Sequence, residues 1–391
     1  MIAASQIEPV RPSPLDSRTG ERREMTLHMG PQHPSMHGVL HLVVGLDGET
    51  VKWVDPDIGF LHRGVEKLCE TLPWDAIAPV LERNDYLAPS TNSHAFCLAV
   101  EGLGGVDVPR RAQWLRCLAD ELSRISSHLV AWGTMGVDLG GAFGGGTSVF
   151  LYCLRERERI LDIMQEWTGT RFHPNLSQIG GARYDVPAGF DRLLDTKLSE
   201  IDAKLDEMIS MMEESPIFQA RTRGIGILSP ELALGLGACG PVARASGLAL
   251  DLRKTRPYEA YKEIDVPIVV RTEGDAYARY RVRIDEARVS IRLSRQILAG
   301  LPDGPIHGRP PVRSSKHKAP AGTSYAAVEG ARGELGVWIR SDKEMSPTRV
   351  RLRSPSFANL SAIVYILPGH LIADVVAVLG SLDPVFGDVD R

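Results

Sequence analysis

Three histidines stand four residues apart near the amino terminus, within and just after the segment "MGPQHPSMHG" at 29–38. Residues four apart lie on one face of a continuous helix, so His33, His37 and His41 would form a column of imidazoles there. Three convergent imidazoles with an open fourth position are a common way to bind zinc. A metal site is therefore the first hypothesis for this segment.

The prolines of the same segment argue against a metal site. Pro31 and Pro34 do not fit inside a helix, so the four-residue spacing no longer implies a shared face. His41 falls in a strand pattern, where successive side chains alternate between two faces. We interpret the segment instead as a rigid loop that presents His33 and His37 at the edge of a sheet. Because histidine titrates near neutral pH, such a loop suits proton delivery.

A tyrosine in the stretch "ERNDYLAPSTNSHAFCLAVE" (82–101) is a second candidate. Tyr86 follows a charged cluster and precedes Pro89. A tyrosine in such a place can be plain packing, with its hydroxyl bonded to the backbone. It can equally donate a hydrogen bond to a carbonyl group of a ligand, and the residues around it leave both interpretations open.

A glycine motif, "GLGACG" at 235–240, matches the nucleotide-binding pattern G-x-G-x-x-G. That pattern binds a nucleotide when it follows a strand and opens a helix. Here Ser229 and Pro230 begin a short helix upstream, as its N-cap and first-turn proline, and Pro241 follows the last glycine. We therefore predict that these glycines end a helix and do not hold a phosphate.

Cysteine usage and charge bound the remaining functions. The five cysteines form no C-x-x-C pair, and isolated cysteines are mostly small buried hydrophobes. We therefore expect no iron-sulfur cluster, structural zinc or other metal to be bound by this chain alone. The net charge of -4 provides no broad attraction for nucleic acid. The cysteines are Cys69, Cys97, Cys117, Cys153 and Cys239.

Composition indicates a globular protein, with 43% hydrophobic and 24% charged residues in 391. The first 24 residues are polar and lack the apolar run of a signal peptide, which predicts a flexible tail on a cytoplasmic protein. The most apolar stretch, "SAIVYILPGHLIADVVAVLG", is interrupted by Pro368, Gly369, His370 and Asp374. It therefore predicts two short buried helices and no membrane span.

Hydrophobic periodicity predicts the elements around these candidates. A hairpin with a turn at Leu46–Gly48 is expected near the amino terminus, and helical periodicity begins near Pro109. Four long helices follow, and the charged run "RERER" in the second should be a solvated or subunit-facing stretch with local ion pairs. Three strands near the carboxyl end, with a turn at 330–333, complete the pattern. The four helices start near 109, 148, 188 and 278.

The pattern predicts an α+β fold with a central bundle of long helices and small antiparallel sheets at both ends. We expect a flexible tail at 1–24 and a single domain at 25–391. Within that domain, the parts are a β-rich N-terminal part at 25–72, a helical bundle at 73–304, a basic Pro/Gly loop at 305–322, and β-strands with C-terminal helices at 323–391.

Several long motifs, in this order along the chain, carry a family resemblance. They resemble the 49 kDa subunit family of respiratory complex I, the NADH-quinone oxidoreductase, from about Met25 to Arg391. The resemblance implies a fold shared with the large subunit of nickel-iron hydrogenases. The motifs are "MGPQHPSMHGVL", "DIGFLHRGVEKL", "NDYLAP", "GVDLGG", "LRERERILDI", "GPVARASGLALDLRKTRPYEAY", "GELGVWIRSD" and "LGSLDPVFGDVDR".

The resemblance implies roles for three residues. His37 matches the family histidine that hydrogen-bonds one quinone carbonyl, and Tyr86 matches the tyrosine that holds the other side of the headgroup. Asp138, in "GVDLGG", matches the aspartate that pairs with the histidine. All three are expected catalytic residues, and His37 and Tyr86 are the expected quinone-binding ones. An ionised aspartate there would orient the imidazole and favour its protonated form.

The resemblance also implies an assembly. Quinone would be the substrate, while NAD, FMN and iron-sulfur clusters would belong to other subunits. Expected partners are the small subunit carrying the terminal 4Fe-4S cluster, a 30 kDa-type subunit and the membrane subunit forming the quinone channel, with no nucleic acid. The chain would lie peripherally on the cytoplasmic side of the inner membrane.

Two other functions are weighed against this one. A divergent scaffold paralogue would dock in a similar assembly without a working quinone site. A hydrogenase would need two C-x-x-C pairs for its metals, and the regions around Tyr86 and Arg391 contain none. The expected function is therefore quinone reduction by a proton-translocating oxidoreductase, with the scaffold as the alternative.

Overall fold

The computed structural model of the protein describes residues 24–33, 36–140, 145–308 and 318–391. The predicted N-terminal tail lies outside the described residues except for Glu24. The centre of the glycine run at 140–146 and half of the basic loop at 305–322 lie outside them as well.

A three-stranded antiparallel sheet forms the N-terminal part. Its strands are β1 (Met25–Met29), β2 (His41–Asp47) and β3 (Thr50–Asp57), in the order β1-β2-β3. The predicted hairpin between β2 and β3 is confirmed, with Gly48 in the left-handed conformation that the tight turn requires. The segment between β1 and β2 contains the histidine loop, so a loop at one end of this sheet is also confirmed.

Eleven helices labelled α1 to α11 occupy the middle of the described chain. The four long helices predicted from periodicity correspond to α4, α5, α6 and α11, within about three residues at each start. The helices are α1 (Val65–Cys69), α2 (Trp74–Leu81), α3 (Pro89–Gly104), α4 (Arg110–Leu139), α5 (Gly145–Thr168), α6 (Phe190–Glu213), α7 (Pro216–Thr222), α8 (Pro230–Leu236), α9 (Gly240–Ala245), α10 (Leu252–Thr255) and α11 (Ala276–Ala299). A 3₁₀ turn (Glu259–Lys262) and two-residue strands β4 (Ser177–Gln178) and β5 (Gly181–Ala182) lie between them.

Helices α2 and α3 lie within the helical part predicted at 73–304 but before Pro109, where helical periodicity becomes recognisable in the sequence. Helix α1 also precedes Pro109, and α3 is buried at twelve of its sixteen positions. A helix surrounded on all sides has no polar face, so its sequence carries no helical stripe. The residues in the first turns of α3 are instead small and polar, so the hydrophobic pattern does not indicate a helix there.

The "RERER" run departs in part from its prediction. Its local ion pairs are confirmed, because Glu156 accepts hydrogen bonds from Arg155 and Arg159, each at 2.7 Å. However, Glu156 is fully buried and Arg157 is nearly so. The run is therefore only partly solvated, since a helix packed on two neighbours must bury some of its charged positions.

The carboxyl-terminal part contains a second antiparallel sheet and four short helices. The strands are β6 (Gly322–Gly330), β7 (Gly333–Ser341) and β8 (Arg349–Arg353), and the predicted turn at 330–333 is confirmed. The helices are α12 (Pro355–Leu360), α13 (Ile363–Ile366), α14 (Asp374–Leu382) and α15 (Phe386–Asp390). The apolar stretch predicted to form paired short helices contributes α13 and α14.

Most buried apolar side chains pack in three clusters. One lies among the long helices α4, α5, α6 and α11. The second lies beneath the N-terminal sheet, against α12 to α15. The third lies between α2, α3 and the sheet β6–β8. Helices α14 and α15 thus belong to the second cluster, and α14 also packs on the long helices α4 and α11.

The glycine motif at 235–240 ends a helix, as predicted. The Ser229 hydroxyl accepts a hydrogen bond from the Leu232 amide at 3.2 Å and caps α8. Gly237 ends the same helix in the left-handed conformation. Gly240 has a different function, because an added Cβ would lie 2.3 Å from the carbonyl oxygen of Arg332. That glycine therefore allows the β6–β7 turn to approach α9 closely.

Candidate functional site

An imidazole and a carboxylate meet where the histidine loop reaches the end of α4. His37 Nε2 lies 2.6 Å from Asp138 Oδ2, and the two side chains are only 8% and 7% exposed. A hydrogen bond this short between two buried groups is typical of a charge-assisted pair. The structure therefore brings together two of the three predicted site residues, although they are 101 positions apart.

The local backbone explains how His37 reaches this position. His37 has a positive φ of 56°, which turns the chain sharply, and the neighbouring Met36 is fully buried beneath the sheet. Gly38 follows with its α-carbon against the ring of Phe386, where an added Cβ would lie 2.6 Å from Cδ2. The loop is thus held on both sides of the histidine, which fixes the direction of the imidazole.

Helix α14 lies against the same pair. A Cβ added at Gly380 would stand 3.0 Å from His37 Nε2 and 3.5 Å from Asp138 Oδ2. The glycine therefore gives the imidazole and the carboxylate the room to meet. Gly380 lies in the family motif "LGSLDPVFGDVDR", but its role was not predicted, because a glycine within a helical segment does not indicate what faces it.

The other two histidines of the loop do not join this pair. His33 is exposed, and its backbone carbonyl accepts a hydrogen bond from the Met36 amide at 3.0 Å. His41 lies in β2, where it contacts His28 and Asp57 at 3.0 and 3.1 Å. The three imidazoles thus do not converge, and the described residues contain no group of three His, Cys, Asp or Glu that could hold a metal ion.

Tyr86 lies in the connection between α2 and α3. Its side chain is partly buried, and burial raises the pKa of the phenol, with the Asp85 and Asp383 carboxylates adding to that rise and Arg332 opposing it. No hydrogen-bond partner of its hydroxyl is found among the residues that the structure describes. The phenol is therefore neutral at physiological pH and able to donate a hydrogen bond to a ligand.

One side of Tyr86 lines a narrow cavity against α5. The walls are mainly apolar, with Leu87, Pro89 and Met164 among them. Arg157, the buried arginine of the "RERER" run, also lines it and stacks over Phe172, which the cavity includes, at 4.7 Å from the ring centre. The apolar surroundings account for the desolvation of the phenol.

Three charged residues stand beside Tyr86. The Arg332 guanidinium donates to both carboxylate oxygens of Asp85, at 3.1 and 2.9 Å, and lies 3.2 Å from Asp383 Oδ2. All three side chains are at most 8% exposed. They come from the α2–α3 connection, the β6–β7 turn and the end of α14, so no local pattern could have grouped them. The only available signal was that Asp85 and Asp383 fall in two of the family motifs and that Arg332 directly precedes a third.

Helix α14 connects the two ends of the site. Gly380 contacts His37 and Asp138, while Asp383, three residues later, belongs to the cluster beside Tyr86. The next helix, α15, packs on the same connection, because a Cβ at Gly387 would lie 2.5 Å from the carbonyl oxygen of Asn84. Helices α14 and α15 thus contact the His37–Asp138 pair at one end and the connection that contains Tyr86 at the other.

The chemistry available is proton donation from two different acids. An imidazole paired with a carboxylate can act as a proton donor, and the phenol can donate a hydrogen bond. All five cysteines are buried and form no disulfide. Burial raises the pKa of the Cys69 thiol to about 12, so its thiol remains protonated.

Comparisons with known proteins identify the family of the chain. A family model described as "Respiratory-chain NADH dehydrogenase, 49 Kd subunit" matches residues 144–319 and 311–391. A protein of Koribacter versatilis (strain Ellin345), the second D-type subunit of its NADH-quinone oxidoreductase, is 43% identical over 98% of this chain and 99% of its own. Its counterpart of the same name in Roseiflexus sp. (strain RS-1) is 45% identical over 95% of this chain and 94% of its own.

A solved structure is similar over almost the whole chain. It is a chain of the membrane-bound sulfane sulfur reductase, an archaeal respiratory membrane complex, with a TM-score of 0.90 and 33% identity. The match covers 95% of this chain and 100% of that one. Among the helices in the described part of this chain, none is long and apolar enough to cross a membrane.

Proposed function

The chain belongs to the 49 kDa subunit family of respiratory-chain NADH dehydrogenases, and we propose that it provides the quinone-reducing site of a proton-translocating NADH-quinone oxidoreductase. Reduction of a quinone to a quinol consumes two electrons and two protons. The electrons would come from an iron-sulfur cluster in a neighbouring subunit. This chain would bind the headgroup and supply protons.

The observation that carries the proposal is the His37–Asp138 pair. Asp138 occupies the Nε2 side of the imidazole, at 2.6 Å, which leaves Nδ1 as the atom that can face a quinone carbonyl. A doubly protonated ring can release the Nδ1 proton to the reduced carbonyl oxygen and keep the Nε2 hydrogen bond. His37 would therefore act as a general acid whose ring orientation is set by Asp138.

Tyr86 would hold the other side of the headgroup. Its hydroxyl is free among the described residues, and burial keeps the phenol protonated. A neutral phenol can donate one hydrogen bond to the second carbonyl and stabilise the negative charge that develops there on reduction.

Asp138 also provides a first step for coupling to ion movement. It stands in the last turn of α4, where the helix dipole is negative and disfavours a carboxylate. The imidazolium offsets that cost, and the cost returns once the ring has released its proton. Asp138 would then gain by moving or by taking up a proton, which converts a redox event into a charge displacement.

The assembly inferred from the relatives completes the function. We propose that the direct partners are the small subunit with the terminal 4Fe-4S cluster, a 30 kDa-type subunit and the membrane subunit of the quinone channel. The chain would be peripheral, on the cytoplasmic side of the membrane. NAD, FMN and the clusters would be held by other subunits. The fold kinship with the hydrogenase large subunit is part of the same proposal, as is the single domain at 25–391.

The test is Asp138→Asn in the assembled complex, with kcat and KM for quinone measured. The variant loses the charge-assisted hydrogen bond that orients the imidazole, so kcat should fall about tenfold with a much smaller change in KM. His33→Ala, in the same loop, serves as the control and should leave both constants unchanged. An unchanged kcat in Asp138→Asn would contradict this role of Asp138, and no observation favours the scaffold alternative.

A further inference from the structure

We infer that Arg332 is a positioning residue for Tyr86, and that it fixes the position of Tyr86 by joining Asp85 to Asp383 across the site. This inference rests on the proposed function and deepens it, because it names a residue on which the geometry of the quinone site depends. Arg332 itself would not touch the quinone. It would act through the α2–α3 connection that contains Tyr86.

The contacts of the guanidinium are directed at two segments. Its Nη1 donates to Asp85 Oδ1 and Oδ2, at 3.1 and 2.9 Å. Its Nε donates to the backbone carbonyl of Asp383 at 3.0 Å, and Nη2 donates to the carboxylate of the same residue at 3.3 Å. One planar group thus ties the residue before Tyr86 to the end of α14.

Asp85 transmits this tie to the backbone of Tyr86. Its Oδ1 also accepts hydrogen bonds from the amides of Leu87 and Ala88, at 3.2 and 3.1 Å. Asp85 precedes Tyr86 in the chain, and its carboxylate binds the amides of the two residues that follow Tyr86. Any shift of Asp85 must move the turn on which the phenol is carried.

The arginine is itself held firmly by its own turn. The Arg332 carbonyl accepts a hydrogen bond from the Asn359 side-chain amide at 3.0 Å. An added Cβ at Gly333 would lie 2.5 Å from the Gly240 amide nitrogen, so the turn and the start of α9 are in close backbone contact. A guanidinium on such a turn has little freedom, as a positioning group requires.

The positive charge of Arg332 is also needed at this position. Asp85 and Asp383 both stand beside the phenol, and Asp388 adds a further acid near Asp85. Without a cation between them, two buried carboxylates would repel each other. Arg332 is the cation between them, and Arg283, 3.7 Å from Asp383, contributes from α11.

A lysine at this position could not replace the arginine. The guanidinium presents donors in a fixed fork, whereas an ammonium is a single point on a flexible stem. Lysine would keep the charge, and therefore much of the stability, but could bind only one of the two carboxylates well. Arg332→Lys is thus a substitution that separates position from charge.

The experiment uses the assembled complex and a short-chain quinone. Arg332→Lys should raise KM for quinone by about two- to tenfold, no more than loss of the Tyr86 hydroxyl itself, while kcat changes less than about twofold. In a Tyr86→Phe background, the same substitution should raise KM less than about twofold, because the group being positioned has lost its hydroxyl. Electron transfer to an acceptor that bypasses the quinone site provides the assembly control.

Arg124→Lys is the matched control. Arg124 is also fully buried and binds the same hairpin, through the carbonyls of Glu329 and Gly330 at 2.5 and 2.7 Å. It is not in hydrogen-bond contact with Asp85 or Asp383, so its substitution should leave KM for quinone unchanged.

The outcomes separate the inference from the proposed function. If Arg332→Lys behaves as Arg124→Lys does, or if its effect is equally large in the Tyr86→Phe background, the positioning role is wrong. If Tyr86→Phe and His37→Ala themselves leave quinone kinetics unchanged in the parent complex, the proposed function fails first. Should those two act while Arg332→Lys does not, only the inference is overturned.

Discussion

The two ends of the site are constructed in different ways. At the His37 end, one imidazole meets one carboxylate, and the geometry depends on the backbone, through a positive φ and the absence of a side chain at Gly380. At the Tyr86 end, the phenol has no hydrogen-bond partner among the described residues, and its surroundings are set by the Asp85–Arg332–Asp383 cluster. Close approach of the backbone shapes the His37 end, whereas buried charges shape the Tyr86 end.

This difference indicates different tasks. A group that must release a proton needs a single partner that responds to its charge, and a short charge-assisted bond provides one. A group that must only hold a ligand needs a fixed place and a free hydroxyl. We therefore expect changes at the His37 end to act mainly on turnover, and changes at the Tyr86 end to act mainly on affinity. The following predictions test that division, from the largest expected effect to the smallest.

His37→Ala should have the largest effect, because it removes the proposed general acid. We expect turnover with quinone to fall by about 10²- to 10⁴-fold, the usual range for loss of acid–base catalysis. His33→Ala, four residues earlier and exposed, should lower turnover less than about twofold. Both are measured at equal assembly of the complex, and equal losses from the two variants would mean that protons enter by another route.

Glu82→Gln tests whether a buried carboxyl group near the Tyr86 end lowers the free energy of unfolding, an effect that we do not expect at the His37 end. Burial raises the pKa of Glu82 to about 7 from 4.5, although hydrogen bonds from Ser93 and the Asn175 amide and the nearby Arg83 and Arg183 oppose that shift. The folded state thus retains a proton that the unfolded chain releases. The stabilisation of the folded state by the protonated Glu82 carboxyl is complete below about pH 4.5, declines as pH rises to about 7, and is absent above that pH.

Glutamine cannot ionise, so the variant should not lose this contribution. We compare the free energy of unfolding by denaturant of Glu82→Gln with that of the parent. The difference should favour the variant by about 3 kcal/mol more at pH 8 than at pH 4. Glu49→Gln, on the surface, should stay within about 0.5 kcal/mol at both pH values. A pH-independent difference between Glu82→Gln and the parent would show that Glu82 is ionised in the folded protein.

Gly380→Ala tests the role of close approach at the His37 end. The new methyl would stand 3.0 Å from His37 Nε2, so the pair must shift by a few tenths of an ångström. We expect kcat to fall about tenfold with a much smaller change in KM, because displacement of a reacting group is costly. Gly235→Ala, in a helix where nothing lies within 4 Å of an added Cβ, is the control. A larger effect on KM than on kcat would contradict the division of tasks.

Tyr86→Phe should have the smallest effect. It keeps the ring and removes one neutral donor, at a cost of about 0.5–1.5 kcal/mol, or about two- to tenfold in KM for a short-chain quinone. Tyr325→Phe, which loses an exposed hydroxyl bond to Glu334 at 3.0 Å on the sheet β6–β8, should leave KM unchanged. If Tyr86→Phe lowered kcat as strongly as His37→Ala, the two ends would share the proton chemistry.

Local features of the chain were well predicted by the sequence. The stripes of α4, α5, α6 and α11, the β2–β3 hairpin and the Ser229 cap each depend on residues within a few positions of one another. Local propensity and periodicity act over that same range, so the pattern is sufficient. The loop that carries His37 was predictable for the same reason, because proline and glycine restrict the backbone wherever they stand.

By itself, then, the sequence determined the elements, the loop and, through long motifs, the candidates His37, Tyr86 and Asp138. Only the tertiary structure decided which side chains meet: that Asp138 reaches His37 from 101 positions away, that Gly380 makes room for them, and that Arg332 joins Asp85 to Asp383. These contacts depend on how long helices and distant turns pack around buried charges. A buried charge requires a partner, but its own sequence neighbourhood does not specify which partner the fold provides.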